Sequence, residues 1–169
     1  MEDLEREKLP ATVFVGGRWA EQDPARLRRL VADGVEIETH AYRHPHLTKL
    51  SDAALREELG RGVEALLKAG APRPSYLRAP YVESDARVAR VAESLGLSLV
   101  SGELPSGDPD PHFTKARLVR WVLSRARPGS IVIFHVNGRG WHTAEALPDI
   151  VRGLRAKGYE LVTLKELLK

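Results

Sequence analysis

The sequence predicts an α/β fold in which short parallel strands alternate with helices along a single domain, residues 1–169. Six short apolar segments are separated by amphipathic stretches, and this alternation is typical of a parallel sheet built from right-handed crossover units. A chain of 169 residues also fits one domain with one sizeable core. Finally, polar clusters follow three of the predicted strands, at the carboxyl ends where such folds place their chemistry.

The strand predictions rest on short runs of β-branched and other apolar residues. The run from Ile131 to Phe134 is the most apolar, so we expect its strand to be the most buried. The chain begins on what looks like the tail of a helix, residues 4–9, as if a strand were missing in front. The predicted strands are 11–15, 35–39, 76–78, 97–101, 130–135 and 159–163.

The helix predictions rest on capping residues and on glycines that end a helical pattern. Asp23 precedes Pro24 and opens a helix that ends at Gly34, whereas Ser51 opens a helix that runs to about Ala69. The remaining predicted helices begin at Ser84 or Asp85, at Thr114 and at Thr143, and a final helical turn covers residues 164–168.

Composition excludes several classes of protein and of site. The chain has no cysteine, which excludes disulfides, thiolate zinc sites and thiol nucleophiles. Its 26 basic and 23 acidic residues are interspersed, whereas a nucleic-acid partner would require a basic cluster. No apolar run approaches the roughly 18 residues of a membrane span, and the acidic start does not resemble a signal peptide. Either the protein is cytosolic or an export signal has been removed.

Three histidines follow predicted strands. His40 and His44 lie four residues apart, and two neutral imidazoles at this spacing can reach one divalent ion if the loop curls. The alternative is a pair of surface histidines. His135 ends the strand 130–135 and precedes a glycine-rich turn, which suits a general acid or base. The alternative is a histidine that is merely hydrogen-bonded to a neighbouring carbonyl.

Four further side chains are candidates for the site. Arg78 ends a predicted strand, where its guanidinium could orient a carboxylate or simply form an exposed salt bridge. Glu103 and Asp108 lie in a loop rich in turn formers, and either could tune a histidine, bind a cation or remain solvated. Trp141 offers a stacking surface for a sugar or a lid over one end of a barrel.

Together these residues resemble the polysaccharide deacetylase family, the NodB-type carbohydrate esterases. The segment 35–47 resembles the family's metal-binding motif, with His40 and His44 at the two ligand positions. Residues 78–81 (Arg-Ala-Pro-Tyr) resemble its Arg-x-Pro-Tyr motif, and residues 130–135 resemble its histidine-bearing strand. The resemblance implies a distorted, incomplete (β/α) barrel. Segments 11–17, 143–148 and 158–163 resemble the family's second strand, closing helix and closing strand.

The resemblance implies a hydrolase that removes N- or O-acetyl groups from a carbohydrate polymer with a divalent metal, expected to be zinc. His40 and His44 would be the metal ligands, and His135 would protonate the leaving amine or alcohol. Arg78 would orient the base, and Glu103 or Asp108 would tune His135. The implied substrate-binding residues are Pro80, Tyr81, Asn137 and Trp141, with the backbone at Tyr81 stabilising the oxyanion.

The chain departs from the family pattern at its start. The family's first strand carries two aspartates, one a metal ligand and one the base, and nothing before Ala11 matches it. Either this is a shortened form of a longer deacetylase, or Glu38, Glu103 or a carboxylate of a second subunit substitutes. A non-catalytic relative that binds sugar or metal is the alternative function. We expect the open barrel edge to be covered by residues 1–9 or by a homodimer.

Overall fold

The computed structural model describes residues 9–169 of the chain. Their contacts form two compact units, one of them Thr12–Ser101 and the other containing Gly102–Lys169. The predicted helix tail at residues 4–8, and the expected covering of a strand edge by that segment, lie outside the described residues. Of the helices within residues 9–169, none combines the length with the apolar composition that a membrane span requires.

A four-stranded parallel sheet forms the centre of the unit Thr12–Ser101. Its strands are β1 (Thr12–Val15), β2 (Glu36–Thr39), β3 (Tyr76–Leu77) and β4 (Ser98–Leu99). They lie in chain order, and each pairs in parallel with the next. Val15 is opposite Thr39, and Thr39 is opposite Leu77, so the carboxyl ends of three strands share one edge. The four predicted strands of this region are confirmed.

Helices and turns connect these strands. They are α1 (Gly17–Gln22), α2 (Pro24–Ala32), α3 (Asp52–Lys68) and α4 (Ala86–Ser94), with 3₁₀ turns at Leu47–Lys49 and Pro80–Val82. The side chains of Asp23 and Ser51 accept backbone N–H groups at the starts of α2 and α3, as predicted. Asp85 rather than Ser84 caps α4. The short helix α1 was not predicted.

The hydrophobic core of this unit packs helices α3 and α4 against strand β3. Leu55 and Leu59 of α3, Leu77 of β3 and Val88 of α4 are completely buried in one cluster, together with Leu47. Burying a side chain of this size contributes about 1.5–3 kcal/mol. The loops that follow β2 and β3 therefore leave from strand ends that are held rigidly.

The regular structure of the unit containing Gly102–Lys169 consists mainly of helices. Its elements are β5 (Leu104–Pro105), β6 (Val132–Ile133), α5 (Lys115–Arg125), α6 (Thr143–Ala156) and α7 (Leu164–Leu167). The strands β5 and β6 pair in parallel, and Leu118, Val122 and Ile150 are buried between α5 and α6. Thr114 caps α5, and Thr163 forms a reciprocal capping box with Glu166, so all three predicted helices form.

Two strand predictions in this unit need correction. Residues 159–163 do not form a strand, although Tyr159 and Leu161 both pack on the α5–α6 core. Their alternation therefore reflects side-chain burial without backbone pairing. The strand predicted at 130–135 is reduced to Val132–Ile133 and is only half-buried, because within the described residues it pairs with β5 alone. Residues 104–105, read as part of a turn-rich loop, form that partner strand.

Candidate active site

The backbone is strained where the chain leaves β2 and β3. Within the described residues, the left-handed non-glycine residues are Ala41 (φ 63°), His44 (φ 67°), Tyr81 (φ 60°) and Val82 (φ 57°). Such a conformation costs on the order of 1–3 kcal/mol per residue and persists only where the surroundings impose it. Because strained residues cluster at functional sites, these two loops are the first place to look for chemistry.

A buried carboxylate holds the loop after β2 in this conformation. Glu58 of α3 is 2% exposed, and its Oε1 accepts the backbone N–H groups of Tyr42 and Arg43. The glycine at position 62 lets α3 approach this loop, since a Cβ there would lie 2.9 Å from the carbonyl carbon of Ala41. Glu58 was not predicted from the sequence, although an acid three residues after Leu55 on the apolar face of a helix was a signal.

The structure brings His40 and His44 together. Their ring centroids are 4.8 Å apart in an edge-to-face arrangement. The Nδ1 of His40 lies 2.8 Å from the carbonyl oxygen of Arg78, and because a carbonyl only accepts, Nδ1 carries the proton. A histidine that binds metal usually donates its second ring nitrogen in this way, which leaves Nε2 for the ion. Among residues 9–169, no group of three or more His, Cys, Asp or Glu gathers here.

The segment after β3 packs against these histidines. The Tyr81 ring contacts His44 edge to face at 4.7 Å between centroids and is stacked on His46 at 4.0 Å. The Nδ1 of His46 lies 2.8 Å from Oε2 of Glu83. Tyr81 was predicted from the sequence, whereas His46 and Glu83 were not, because nothing in the spacing of His46 shows which ring it contacts.

Arg78 is the least satisfied polar side chain of this unit. Its guanidinium lies 4.2 Å from the centre of the Phe14 ring. Its Nε and Nη2 atoms are buried, and neither has a hydrogen-bond acceptor within the described part of the chain. Burial lowers the pKa of Arg78 to about 10. Buried donors without an acceptor attract an anionic group, so Arg78 suits the carboxylate-orienting role predicted for it.

Glu38 and Glu103 do not lie where a catalytic role would need them. The Oε2 atom of Glu38 accepts the backbone N–H groups of Ser75 and Tyr76 at the start of β3, whereas His40 contacts the end of that strand. Glu103 directly precedes β5, and His135 follows β6, so Glu103 lies at the opposite end of the parallel pair. Glu103 instead lines a cavity of about 500 Å³. Of the two acids predicted to tune His135, the structure thus places Asp108 and not Glu103 beside it.

In the unit containing Gly102–Lys169, Asp108 and His135 form a fully hydrogen-bonded pair. Asp108 is 1% exposed, and its Oδ1 lies 2.9 Å from Nδ1 of His135 and accepts the hydroxyl of Ser106. Its Oδ2 accepts the backbone N–H of His135 at 2.7 Å and the hydroxyl of Thr143 at 2.6 Å. Burial alone would raise the pKa of Asp108, but these hydrogen bonds lower it below its usual value.

This arrangement fixes the imidazole of His135. The ionised Asp108 only accepts hydrogen bonds, so Nδ1 of His135 carries a proton, and the lone pair of the neutral imidazole is on Nε2. The side chain of His135 is 37% exposed, which makes Nε2 accessible to a reactant. A carboxylate behind a histidine also stabilises the imidazolium that forms when Nε2 takes a proton. The pair is therefore able to accept and return one proton at Nε2.

Two further predicted residues, Asn137 and Trp141, follow His135 in the chain, whereas Pro80 is buried in the turn after β3. Trp141 is 61% exposed, and its backbone N–H donates to the carbonyl of Asp108. Asn137 is exposed, and its side-chain oxygen accepts the N–H of Arg139. An exposed indole next to polar groups is typical of sugar-binding surfaces, whereas the side chain of Asn137 mainly stabilises its own turn.

Comparison with known proteins gives a consistent result. The family model described as "Polysaccharide deacetylase" matches residues 2–100. A peptidoglycan-N-acetylglucosamine deacetylase, PgdA of Listeria monocytogenes, is 30% identical over 168 residues, which is 99% of this chain and 34% of that protein.

Solved structures with the same fold include a family 4 carbohydrate esterase from Streptomyces lividans in complex with acetate. It is 31% identical, with a TM-score of 0.84 over 93% of this chain and 80% of that one. A mutant of BA3943, a CE4 family pseudoenzyme with restored enzymatic activity, is 25% identical, with a TM-score of 0.89 over 99% of this chain and 60% of that one. The chain spans 18–50% of the length of the first curated relatives it matches.

Proposed function

The chain belongs to the polysaccharide deacetylase family, and from that premise we propose that it hydrolyses acetyl groups from a carbohydrate polymer. The observation that carries the proposal is the Asp108–His135 pair, because a buried, ionised carboxylate holds an accessible imidazole in a single tautomer. Acetyl removal requires a proton for the departing amine or alcohol of the sugar, and a positioned imidazole supplies it.

In this proposal His135 moves the proton and Asp108 orients it. Nε2 of His135 takes up a proton, and the charge of the resulting imidazolium is balanced by the carboxylate of Asp108. Nε2 then donates that proton to the leaving nitrogen or oxygen. The hydroxyls of Ser106 and Thr143 keep Asp108 ionised and oriented throughout, since both donate to its oxygens.

His40 and His44 are proposed to hold a divalent ion, with zinc as the first candidate. Their ring spacing and the hydrogen bond from Nδ1 of His40 to the Arg78 carbonyl support this, because a histidine that binds metal usually donates its other ring nitrogen to such an acceptor. When bound, such an ion polarises the acetyl carbonyl and activates a water molecule. Arg78 is proposed to orient an anionic group. Tyr81 and Trp141, which are both exposed, are each proposed as a sugar-contacting residue, whereas Pro80 is buried.

A non-catalytic relative that binds sugar or metal is the second candidate. Two observations favour it: no third His, Cys, Asp or Glu joins His40 and His44 within residues 9–169, and the chain is similar to a mutant of a CE4 family pseudoenzyme. Such a protein would use the exposed Trp141 and Tyr81 without needing a base. It would still bind an acetylated sugar but would not release acetate.

Acetate release separates the two candidates. The assay uses an N-acetylglucosamine oligomer and an O-acetylated xylo-oligomer, each with zinc and with a chelator. We expect release by the unaltered chain, loss of at least about 100-fold in His135→Gln, and no change in His112→Ala, an exposed histidine. Binding of either oligomer without acetate release, by both the unaltered chain and His135→Gln, would support the second candidate instead.

A further inference from the structure

Residues 78–83 contact all three histidines of the loop after β2. The carbonyl of Arg78 meets His40, the ring of Tyr81 meets His44 and His46, and the carboxylate of Glu83 meets His46. The family resemblance gives a role to two of these histidines, at positions 40 and 44. His46 and Glu83 have no role in the proposed reaction, although their contacts are as close as those of the other residues.

The contacts of His46 restrict the orientation of its own ring and of the neighbouring Tyr81 ring. Its ring lies nearly parallel to the Tyr81 ring, with an interplanar angle of 10°, and the hydrogen bond to Glu83 fixes its rotation. Tyr81 is half-exposed, and its ring stacks on His46. The Tyr81 ring also contacts His44. A movement of His46 would therefore reach His44 through one intervening ring.

We propose that His46 and Glu83 are positioning residues, which hold the Tyr81 turn against His44 and so fix the His44 ring for the divalent ion. The inference rests on the proposed metal site at His40 and His44, and it adds two residues that neither the sequence motifs nor the proposed reaction includes. His46 acts through its ring face, so a phenyl ring at this position retains most of the effect.

The test measures the metal-free protein first and metal binding second. Variants are His46→Ala, His46→Phe and Glu83→Gln, with the exposed residues in His112→Ala and Glu93→Gln as matched controls. In the metal-free protein, NMR measures two quantities. One is the chemical shifts of the His44 ring, and the other is the hydrogen-exchange rate of the Val82 amide, which donates to the Ala79 carbonyl. Zinc affinity is then measured by calorimetry on the same samples.

We expect His46→Ala to shift the His44 resonances, to speed exchange at Val82 and to weaken zinc binding about tenfold, the lower end for residues that orient ligands. Glu83→Gln should have the same effects, more weakly, and His46→Phe should weaken binding less than about threefold. Unchanged His44 resonances in His46→Ala would overturn the proposal, as would equal losses of affinity in His46→Phe and His46→Ala, which would make His46 a ligand. If the unaltered chain binds no zinc, the proposed metal site fails, yet the metal-free measurements still decide the positioning role.

Discussion

The two histidine clusters differ in how many of their polar atoms already have partners. Around Asp108, both carboxylate oxygens are hydrogen-bonded and His135 is fixed by a bond to its ring and another to its backbone. Around His40 and His44, the backbone is left-handed at four residues, and Arg78 has buried donors without an acceptor in the described chain. In the first cluster every oxygen of the carboxylate is hydrogen-bonded, whereas the second keeps buried Arg78 donors without an acceptor in the described chain.

In the proposed reaction, this difference divides the requirements of hydrolysis between the two clusters. A proton-transfer pair works best when its tautomer and pKa are set in advance, which requires a satisfied hydrogen-bond network. A binding site keeps unsatisfied donors and strained loops, because ligand binding recovers part of their cost. Each of the following predictions tests one side of this contrast.

The largest effect is expected for Asp108→Asn. An amide offers only one acceptor oxygen, so either the ring of His135 or the Thr143 hydroxyl faces an N–H group in place of an acceptor. We expect the free energy of unfolding to fall by about 3 kcal/mol and acetate release to fall at least about 100-fold. Denaturant unfolding and the assay described above measure both, and the exposed Asp110→Asn serves as the control.

The same substitution has a pH signature. Because hydrogen bonds hold the pKa of Asp108 below its unfolded value, ionised Asp108 stabilises the fold fully above about pH 4. That stabilisation is lost as the pH falls through the lower, folded pKa. The difference in unfolding free energy between the unaltered chain and Asp108→Asn should therefore shrink below about pH 4. A difference that stays constant down to the acid transition would contradict the account of this network.

A smaller effect is expected for Glu58→Gln, which tests the other cluster. The amide keeps one acceptor for the Tyr42 and Arg43 backbone but loses the charge that strengthens those bonds. We expect about 1–2 kcal/mol less stability and weaker zinc binding, because the loop that carries His40 and His44 is less firmly held. Glu57→Gln changes an exposed neighbouring acid and should alter neither quantity. Zinc affinity that is retained in Glu58→Gln would show that the loop keeps its shape without the carboxylate.

Local features of both units were predictable from the sequence, whereas long-range partners were not. Asp23, Ser51 and Thr114 cap helices as predicted, because capping depends on residues within one turn. The choice between Glu103 and Asp108 was not predictable, since it depends on the register of β5 against β6. The strain in the loops was equally hidden, because residues such as Ala41 carry no sequence signal for a left-handed backbone.

The smallest effect is expected for Val82→Gly. This substitution should raise the free energy of unfolding but weaken zinc binding. Val82 is 48% exposed and has a φ of 57°, so glycine removes backbone strain while losing little packing. We expect a gain of about 0.5–1 kcal/mol in unfolding free energy, the relief of strain less the entropy cost of glycine. Val136→Gly, at an exposed valine without left-handed φ, should give no gain. The relaxed turn would also hold Tyr81 less firmly against His44, so zinc binding should weaken in the more stable variant. Equal gains in unfolding free energy at both valines would mean that the left-handed backbone of Val82 does not destabilise the fold. The contrast between the two clusters would then rest on hydrogen bonding alone.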